Sequence, residues 1–361
     1  MRIVIAGGGT GGHLFPGIAI AEEFIKRDKQ AKVIFIGTQR GIENRVLGRS
    51  GYELRTIDDE GIKGRGIKAL LKSLYQIPQS MWQSRNILKQ FDPEIVIGVG
   101  GYASGPAVMA AYFMRVPTAI AEQNAVPGMT NKILGKVVDK IFLTYEDTAK
   151  SFSPAKVIVS GNPVRAAFTN VHDLPKKKND RCQLLIFGGS QGAAAINKNV
   201  VEMLPLLQNM KDKLHILHQT GAREVETVKA AYDRHGISAD VTDFIVNMAD
   251  AYRQADLIIC RAGATSLAEI TAAGKAPILI PFPYAIYDHQ TKNARVLADA
   301  GAAMMINEKE LNGNNLFEAV ANLLNNPEKL HLMEENSVKL GRIKAAATIV
   351  EACLRLMANK K

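Results

Sequence analysis

Arg2-Ile-Val-Ile-Ala-Gly-Gly-Gly-Thr-Gly-Gly-His13 opens the chain with a short apolar run that breaks into glycines. The amphipathic stretch Pro16–Arg27 follows. Apolar run, glycine break and helical pattern read as strand, tight turn, helix. Proline suits a helix's first turn, where its missing N–H would go unpaired anyway. The plan returns about 180 residues later as Gln183-Leu-Leu-Ile-Phe-Gly-Gly-Ser-Gln-Gly192, with a helical run from Ala193. Further strands are expected at Val33–Ile36, Ile95–Val99, Thr118–Ala121 and Lys140–Leu143, and then at Leu214–His218, Asp256–Cys260, Ala276–Pro281 and Ala302–Ile306. Strands alternating with helices specify a parallel α/β sheet covered on both faces. Two copies of one plan predict two Rossmann-like domains facing each other across a cleft. Their ligands would lie beyond the carboxyl ends of the strands. The expected N-terminal domain is 1–161, joined by a C-terminal helix at 341–361. The expected C-terminal domain is 162–340, entered through Gly161-Asn-Pro-Val-Arg165 and the polar stretch Lys176-Lys-Lys-Asn-Asp180.

The 361 residues suit two domains at about 150 residues each. With 47% hydrophobic and 22% charged residues, the composition excludes disorder, collagen and coiled coil. The longest apolar run, Ala276 to Tyr287, contains three prolines, so no membrane-spanning helix is expected. The N-terminus enters a strand at once, which is not the shape of a signal peptide. Cys182, Cys260 and Cys353 are too far apart for a metal motif or a disulfide framework, which suggests a reducing compartment. Residues 1–161 hold 21 Lys/Arg against 14 Asp/Glu, and 162–340 hold 19 against 20. The basic first half points to an anionic partner, or to a solvated basic surface.

Gly7-Gly-Gly-Thr-Gly-Gly12 fits G-x-G-x-x-G, but the second strand ends Phe35-Ile-Gly-Thr-Gln39 without the acid that a nicotinamide dinucleotide needs on its ribose. A phosphate-bearing ligand at the turn fits better, since glycines and a helix N-terminus favour anions. His13 on this turn should be kept neutral by the positive helix end. It could take a proton from an alcohol, or only hydrogen-bond a phosphate. Gly188-Gly-Ser190-Gln-Gly192 makes a second anion cradle. Arg261-Ala-Gly-Ala-Thr-Ser-Leu-Ala-Glu269 makes a third, with Thr265 and Ser266 as phosphate donors or helix caps. Glu269 could accept from both hydroxyls of a ribose, or offset the helix dipole. No strict Asp-x-Asp and no G-x-x-x-x-G-K-[ST] is present, so metal-free chemistry with helix ends stabilising a leaving diphosphate is expected.

Together these pieces resemble GT-B glycosyltransferases. More narrowly they resemble the bacterial transferases that add N-acetylglucosamine to undecaprenyl-diphosphate-linked N-acetylmuramyl-pentapeptide, turning lipid I into lipid II of peptidoglycan. The carrying segments are Gly8–His13 with Pro16-Gly17, Gly100-Gly-Tyr-Ala-Ser-Gly-Pro106, Glu122-Gln-Asn124, Gly161–Arg165, Gly188–Ala193, Arg261–Glu269 and Asp288-His-Gln290, in that order. Ala121 stands where the family usually has histidine.

The resemblance implies UDP-N-acetylglucosamine as donor, held mainly by the second domain, with no cofactor and no metal. Ile245 would read the uracil and Glu269 the ribose. Ser190 and the turn Ala264, Thr265, Ser266, Leu267 and Ala268 would hold the diphosphate. Arg165 would stand near the phosphates, and Asn124 and Gln290 would bond the sugar. Thr10, Gly11 and Gly12 would close the site or hold the acceptor diphosphate. Tyr102 and Ser104 are acceptor-side candidates. Inversion at the sugar carbon needs one base on the muramyl 4-hydroxyl, with His13 the candidate and Glu122 orienting that base or the acceptor. Residues 61–91 carry six Lys/Arg and no acid, with Ile67, Leu70, Leu71 and Leu74 on one helical face and Trp82, the chain's only tryptophan. This predicts peripheral attachment to an anionic membrane, the cytoplasmic face of the bacterial inner membrane. The same residues could instead pack in the core. Two alternatives are a non-catalytic binding protein and a UDP-N-acetylglucosamine 2-epimerase of the same fold. Aromatic residues, at 6%, are too few for a nucleic-acid groove.

Overall fold

The computed structural model describes residues 1–38, 43–58, 67–175 and 180–360, with the backbone alone for 43–45, 49 and 67–75. The chain forms two compact units, Met1–Ala166 with Lys344–Lys361, and Ala167–Ile343.

Unit 1 is a seven-stranded parallel sheet of β1 (Arg2–Gly7), β2 (Lys32–Thr38), β3 (Glu53–Ile57), β4 (Ile95–Gly100), β5 (Thr118–Glu122), β6 (Lys140–Leu143) and β7 (Val157–Val159). Their order across the sheet is β3-β2-β1-β4-β5-β6-β7. The helices are α1 (Gly11–Arg27), α2 (Glu43–Ser50), α3 (Ile67–Phe91), α4 (Ser104–Phe113) and α5 (Met129–Leu134). Side chains of a strand alternate between faces. Ile3, Ile5, Phe35, Ile97 and Phe142 therefore pack against α1. Val4, Ala6, Ile36, Val96 and Ile120 pack against α3, α4 and α5 on the other face. Burial on both sides is why the central strands read as unbroken apolar runs.

Unit 2 repeats the design with β8 (Cys182–Phe187), β9 (Leu214–Gln219), β10 (Ala239–Thr242), β11 (Leu257–Cys260), β12 (Pro277–Leu279) and β13 (Met304–Met305). Their order is β10-β9-β8-β11-β12-β13. Its helices are α6 (Ala194–Met203), α7 (Val225–His235), α8 (Met248–Gln254), α9 (Ala264–Ala272), α10 (His289–Asp299), α11 (Gly313–Leu324) and α12 (Pro327–Leu340). Both sheets start at a central strand, step outward twice, then cross to the other side, the doubly wound order of dinucleotide-binding folds. The last helix, α13 (Ala345–Asn359), returns to unit 1, where Ile349, Val350, Cys353 and Met357 join the core beside α1.

Four expectations change. The break lies after Ala166 rather than 161, because Arg165 stacks on Phe15 of α1 and the Ala166 N–H donates to Glu22 at 2.7 Å. The return lies at Lys344 rather than 341. Helix α1 begins at Gly11, so Pro16 lies inside it, where it removes one intrahelical hydrogen bond. Strands β3, β7 and β10 carry no long apolar run. β3 and β10 are half-exposed edge strands, and β7 is an edge strand of three residues. Residues 176–179 and 59–66 lie outside the described residues, as do the side chains of Ile67, Leu70, Leu71 and Leu74.

Candidate active site

In unit 1 the carboxyl ends of β1, β4 and β5 deliver the candidate residues. His13 lies in the first turn of α1, and its ring sits against Gly100 at the end of β4. A Cβ on Gly100 would stand 2.6 Å from His13 Nδ1, so only glycine leaves room for the imidazole. Gln123, just past β5, fixes that ring. Its amide nitrogen donates to Val99 O at 3.1 Å and Ala121 O at 3.2 Å, which orients the amide. Its Oε1 then faces His13 Nδ1 at 3.3 Å. An amide oxygen only accepts, so Nδ1 carries the proton and Nε2 the lone pair. This tautomer follows from the hydrogen-bond network.

Glu122 bonds its own loop rather than His13, so of its two expected roles the orientation of the base falls to Gln123. Its buried carboxylate closes the 122–131 loop. Oε1 accepts from the Asn124 backbone N–H at 3.0 Å and side chain at 3.3 Å, and Oε2 accepts from Gly128 N–H at 3.0 Å and Asn131 Nδ2 at 2.8 Å. Successive residues at a strand end point to opposite sides, so Gln123 meets His13 and Glu122 meets the loop. Glu122 thereby sets Asn124. Ser104 is also corrected. It is fully buried beneath Gly98, whose Cβ would clash with its Oγ, so it packs α4 on β4 and faces no acceptor. Tyr102 is exposed at the end of β4. Arg165 lies 4.2 Å over the Phe15 ring, two residues past His13. Thr10 is the N-cap of α1, ahead of Gly11 and Gly12.

In unit 2 the same edge collects the other candidates. Ser190 stands half-buried in the turn after β8. Ile245, 9% exposed, follows β10. Helix α9 is entered through Gly263 with no side-chain cap, so Thr265 and Ser266 do not cap it. Ala264, Thr265 and Leu267 are buried, and Ser266 and Ala268 are half-buried. Glu269 is 5% exposed, and its Oε2 accepts from Tyr252 O–H at 3.4 Å. Gln290 opens α10 and accepts the Phe282 N–H at 3.0 Å, so it holds the loop after β12. Arg261 braces the same loop. It donates to Ile280 O and Pro281 O, pairs with Glu308 at 2.5 Å, and lies 5.3 Å from the Phe282 ring centre. Tyr287 and Asp288, both at φ 55°, complete a strained approach to Gln290. Gln123, Tyr252 and Arg261 were missed as individual residues. Each acts through a contact distant in sequence. A cavity of about 260 Å³ in unit 2 is lined by Gln183, Leu185, His215, Asp240, Ile245 and Asp250, from β8, β9, β10 and the segment that follows.

Residues 3–143 match the glycosyltransferase family 28 N-terminal domain and residues 183–351 the glycosyltransferase family 28 C-terminal domain. The chain belongs to glycosyltransferase family 28. Among the relatives of this family 28 chain is the UDP-N-acetylglucosamine--N-acetylmuramyl-(pentapeptide) pyrophosphoryl-undecaprenol N-acetylglucosamine transferase of Syntrophus aciditrophicus. It is 56% identical over 99% of each chain. The crystal structure of Acinetobacter baumannii MurG, 31% identical, matches at a TM-score of 0.75 over 98% of this chain and 99% of that one. The two sheets are thus the two Rossmann-like units of the GT-B fold. A UDP-GlcNAc 2-epimerase from Neisseria meningitidis bound to UDP-GlcNAc is 15% identical, with a TM-score of 0.69 over 98% of this chain and 100% of that one, and shares the fold alone.

Proposed function

We propose that the chain transfers N-acetylglucosamine from UDP-N-acetylglucosamine to the muramyl 4-hydroxyl of undecaprenyl-diphosphate-linked N-acetylmuramyl-pentapeptide, with inversion at the sugar carbon. Full-length identity of 56% to a transferase of that name supports the substrates. The observation that carries the mechanism is the orientation of His13 by Gln123. Nε2 of His13 takes the proton of the 4-hydroxyl, and the oxygen attacks C1 of the sugar. The C1–O bond to the β-phosphate breaks, and UDP leaves with the electron pair.

Unit 2 holds the donor. Ser190 and residues 264–268 take the diphosphate at two helix starts, Ile245 the uracil and Glu269 the ribose. Gln290 and Asn124 bond the sugar, and Arg165 offsets the charge of the departing phosphates. Unit 1, with Thr10–Gly12 and Tyr102, takes the acceptor. Ser104 and Glu122 are left out of direct contact. No metal or cofactor is needed for these steps.

A lipid-linked acceptor supports a peripheral position at the cytoplasmic face of the inner membrane. Among the described residues, no helix is long and apolar enough to cross a membrane. Trp82 on α3 is 64% exposed, Phe113 at the end of α4 66%, and Met129 and Ile133 on α5 are each 56% exposed. α4 packs against both α3 and α5, so these side chains belong to neighbouring helices. Arg85, Lys89, Arg115, Lys132 and Lys136 lie on or next to the same helices. Apolar side chains among cations suit an anionic headgroup layer. Core packing of Trp82 is excluded by its exposure.

The test of the mechanism is His13→Ala, with kcat measured against the donor's Kd. A loss of about 10²–10⁴-fold in kcat with donor affinity kept is the expected result. An unchanged kcat with a raised acceptor KM would make His13 a binding residue.

A further inference from the structure

A buried polar chain lies directly behind the glycine turn of unit 2. The turn Gly188–Gly192 and the turn after β9 meet backbone to backbone. A Cβ on Gly192 would stand 1.9 Å from Thr220 O, and one on Gly221 2.3 Å from Gln191 O. No side chain separates them, so the position of one turn is set by the other. Asn197, on the first turn of α6, ties them together. Its Nδ2 donates to Thr220 O at 3.0 Å and to Glu224 Oε2 at 2.8 Å. Its Oδ1 accepts from His218 Nε2 at 3.1 Å, and His218 Nδ1 meets Tyr232 O–H at 3.0 Å.

The directions in this chain are forced. Asn197 spends both amide protons on Thr220 and Glu224, so its oxygen must accept. His218 Nε2 therefore carries the proton, and Nδ1 accepts from Tyr232. Asn197, His218 and Tyr232 are each at most 1% exposed, so water offers no substitute partner. Such a network is rigid when fully satisfied and costly when broken. What it fixes is the height of the Thr220–Gly221 turn under Gly192, and so the direction of the backbone N–H groups in the anion cradle.

We propose that Asn197 and His218 are positioning residues for the donor diphosphate: they hold the Gly188–Gly192 cradle in its binding geometry through the Thr220–Gly221 turn. This rests on the reading that the cradle takes the diphosphate of the UDP-sugar. Neither residue touches the substrate. The ribose contact, at Glu269, lies on another turn; the Thr220 N–H also donates to Thr242 O at 3.0 Å, three residues before Ile245, so uridine is the control that separates an effect on the cradle from one passed to the uracil loop.

The test uses the full chain, with inhibition constants of UDP and of uridine, which has no phosphate. In Asn197→Ala the UDP constant should rise about tenfold or more, the loss expected from a charge-assisted contact, while the uridine constant holds. The KM for UDP-N-acetylglucosamine should rise with it and the acceptor KM stay. His218→Gln, whose amide can still donate to Asn197, should retain more UDP affinity than His218→Leu. It also keeps the question answerable if Asn197→Ala folds poorly. Equal losses for UDP and uridine, or His218→Gln matching His218→Leu, would reduce the network to a stability role and overturn the proposal. Ser190→Ala separates this from the donor reading. If Ser190→Ala weakens UDP and the folded Asn197→Ala does not, the positioning role alone fails. If neither weakens UDP, the assignment of the cradle fails with it.

Discussion

Gln123 and Glu122 are adjacent, both polar and both buried, yet only one reaches His13. Sequence singled out their tripeptide and offered Glu122, not Gln123, to orient the base or the acceptor. Which neighbour points to the histidine depends on the face of β5 that β4 and α1 cover, and that is a tertiary fact. A carboxylate on Nδ1 would favour a charged imidazolium; the neutral amide fixes the tautomer without adding charge. Gln123→Leu should therefore lower kcat about tenfold or more, with donor affinity unchanged and the low-pH limb of the rate profile altered. Glu122→Gln should instead disturb Asn124 and lower stability, because four donors converge on a buried carboxylate, with the pH profile kept. A Gln123→Leu enzyme as fast as the parent would remove the tautomer argument. The place of Glu269 in a helix was legible, but its partner Tyr252 was not. Glu269→Ala should weaken UDP by about 1.5–3 kcal/mol at most for each charge-assisted bond lost, read by calorimetry.

At the scale of elements, the sequence is clearest where burial is complete. β1, β4, β8 and β11 are covered on both faces, and each shows as an apolar run that ends in glycine, in Phe187 just before Gly188, or in Cys260, ahead of a helix start. Edge strands β3 and β10 alternate or mix polarity because one side meets solvent, and their runs fall below notice. The glycine turns were legible as turns, but not the interlock of Gly192 with Thr220, which joins segments 28 residues apart. The buried network under that turn has a consequence for stability. Burial holds His218 down at about 3, against 6.5 for an ordinary histidine. The groups facing it are the Tyr232 hydroxyl and the Asn197 amide, with Glu224 beyond Asn197. Between pH 6.5 and 3 the unfolded chain takes up a proton that the native imidazole refuses, so stability falls as pH falls through that window. From pH 7 to pH 5 the loss should be about 2 kcal/mol, a drop of several degrees in Tm. His218→Gln should flatten that part of the slope. An identical slope in the variant would assign the acid sensitivity to other groups.

On the scale of the whole molecule, the duplicated strand order was legible because each half repeats the same sequence plan, and both sheets follow the same doubly wound path. The exchange of α13 into unit 1 shows in the core it completes. Part of the uneven charge falls on the basic, apolar outer helices of unit 1, the surface proposed for the membrane. Replacing Trp82 and Arg85 with glutamate should reduce flotation on phosphatidylglycerol vesicles. Rising salt should weaken binding of the parent protein, as screening demands. Equal flotation of parent and variant would take α3 out of the membrane contact. The reaction itself is tested most directly by incubating the full chain with labelled UDP-N-acetylglucosamine and a lipid I analogue in EDTA. Label should appear in a β1,4-linked disaccharide lipid, formed at an undiminished rate without added metal. Label that stays on the nucleotide sugar, whether unchanged or epimerised at C2, would contradict it.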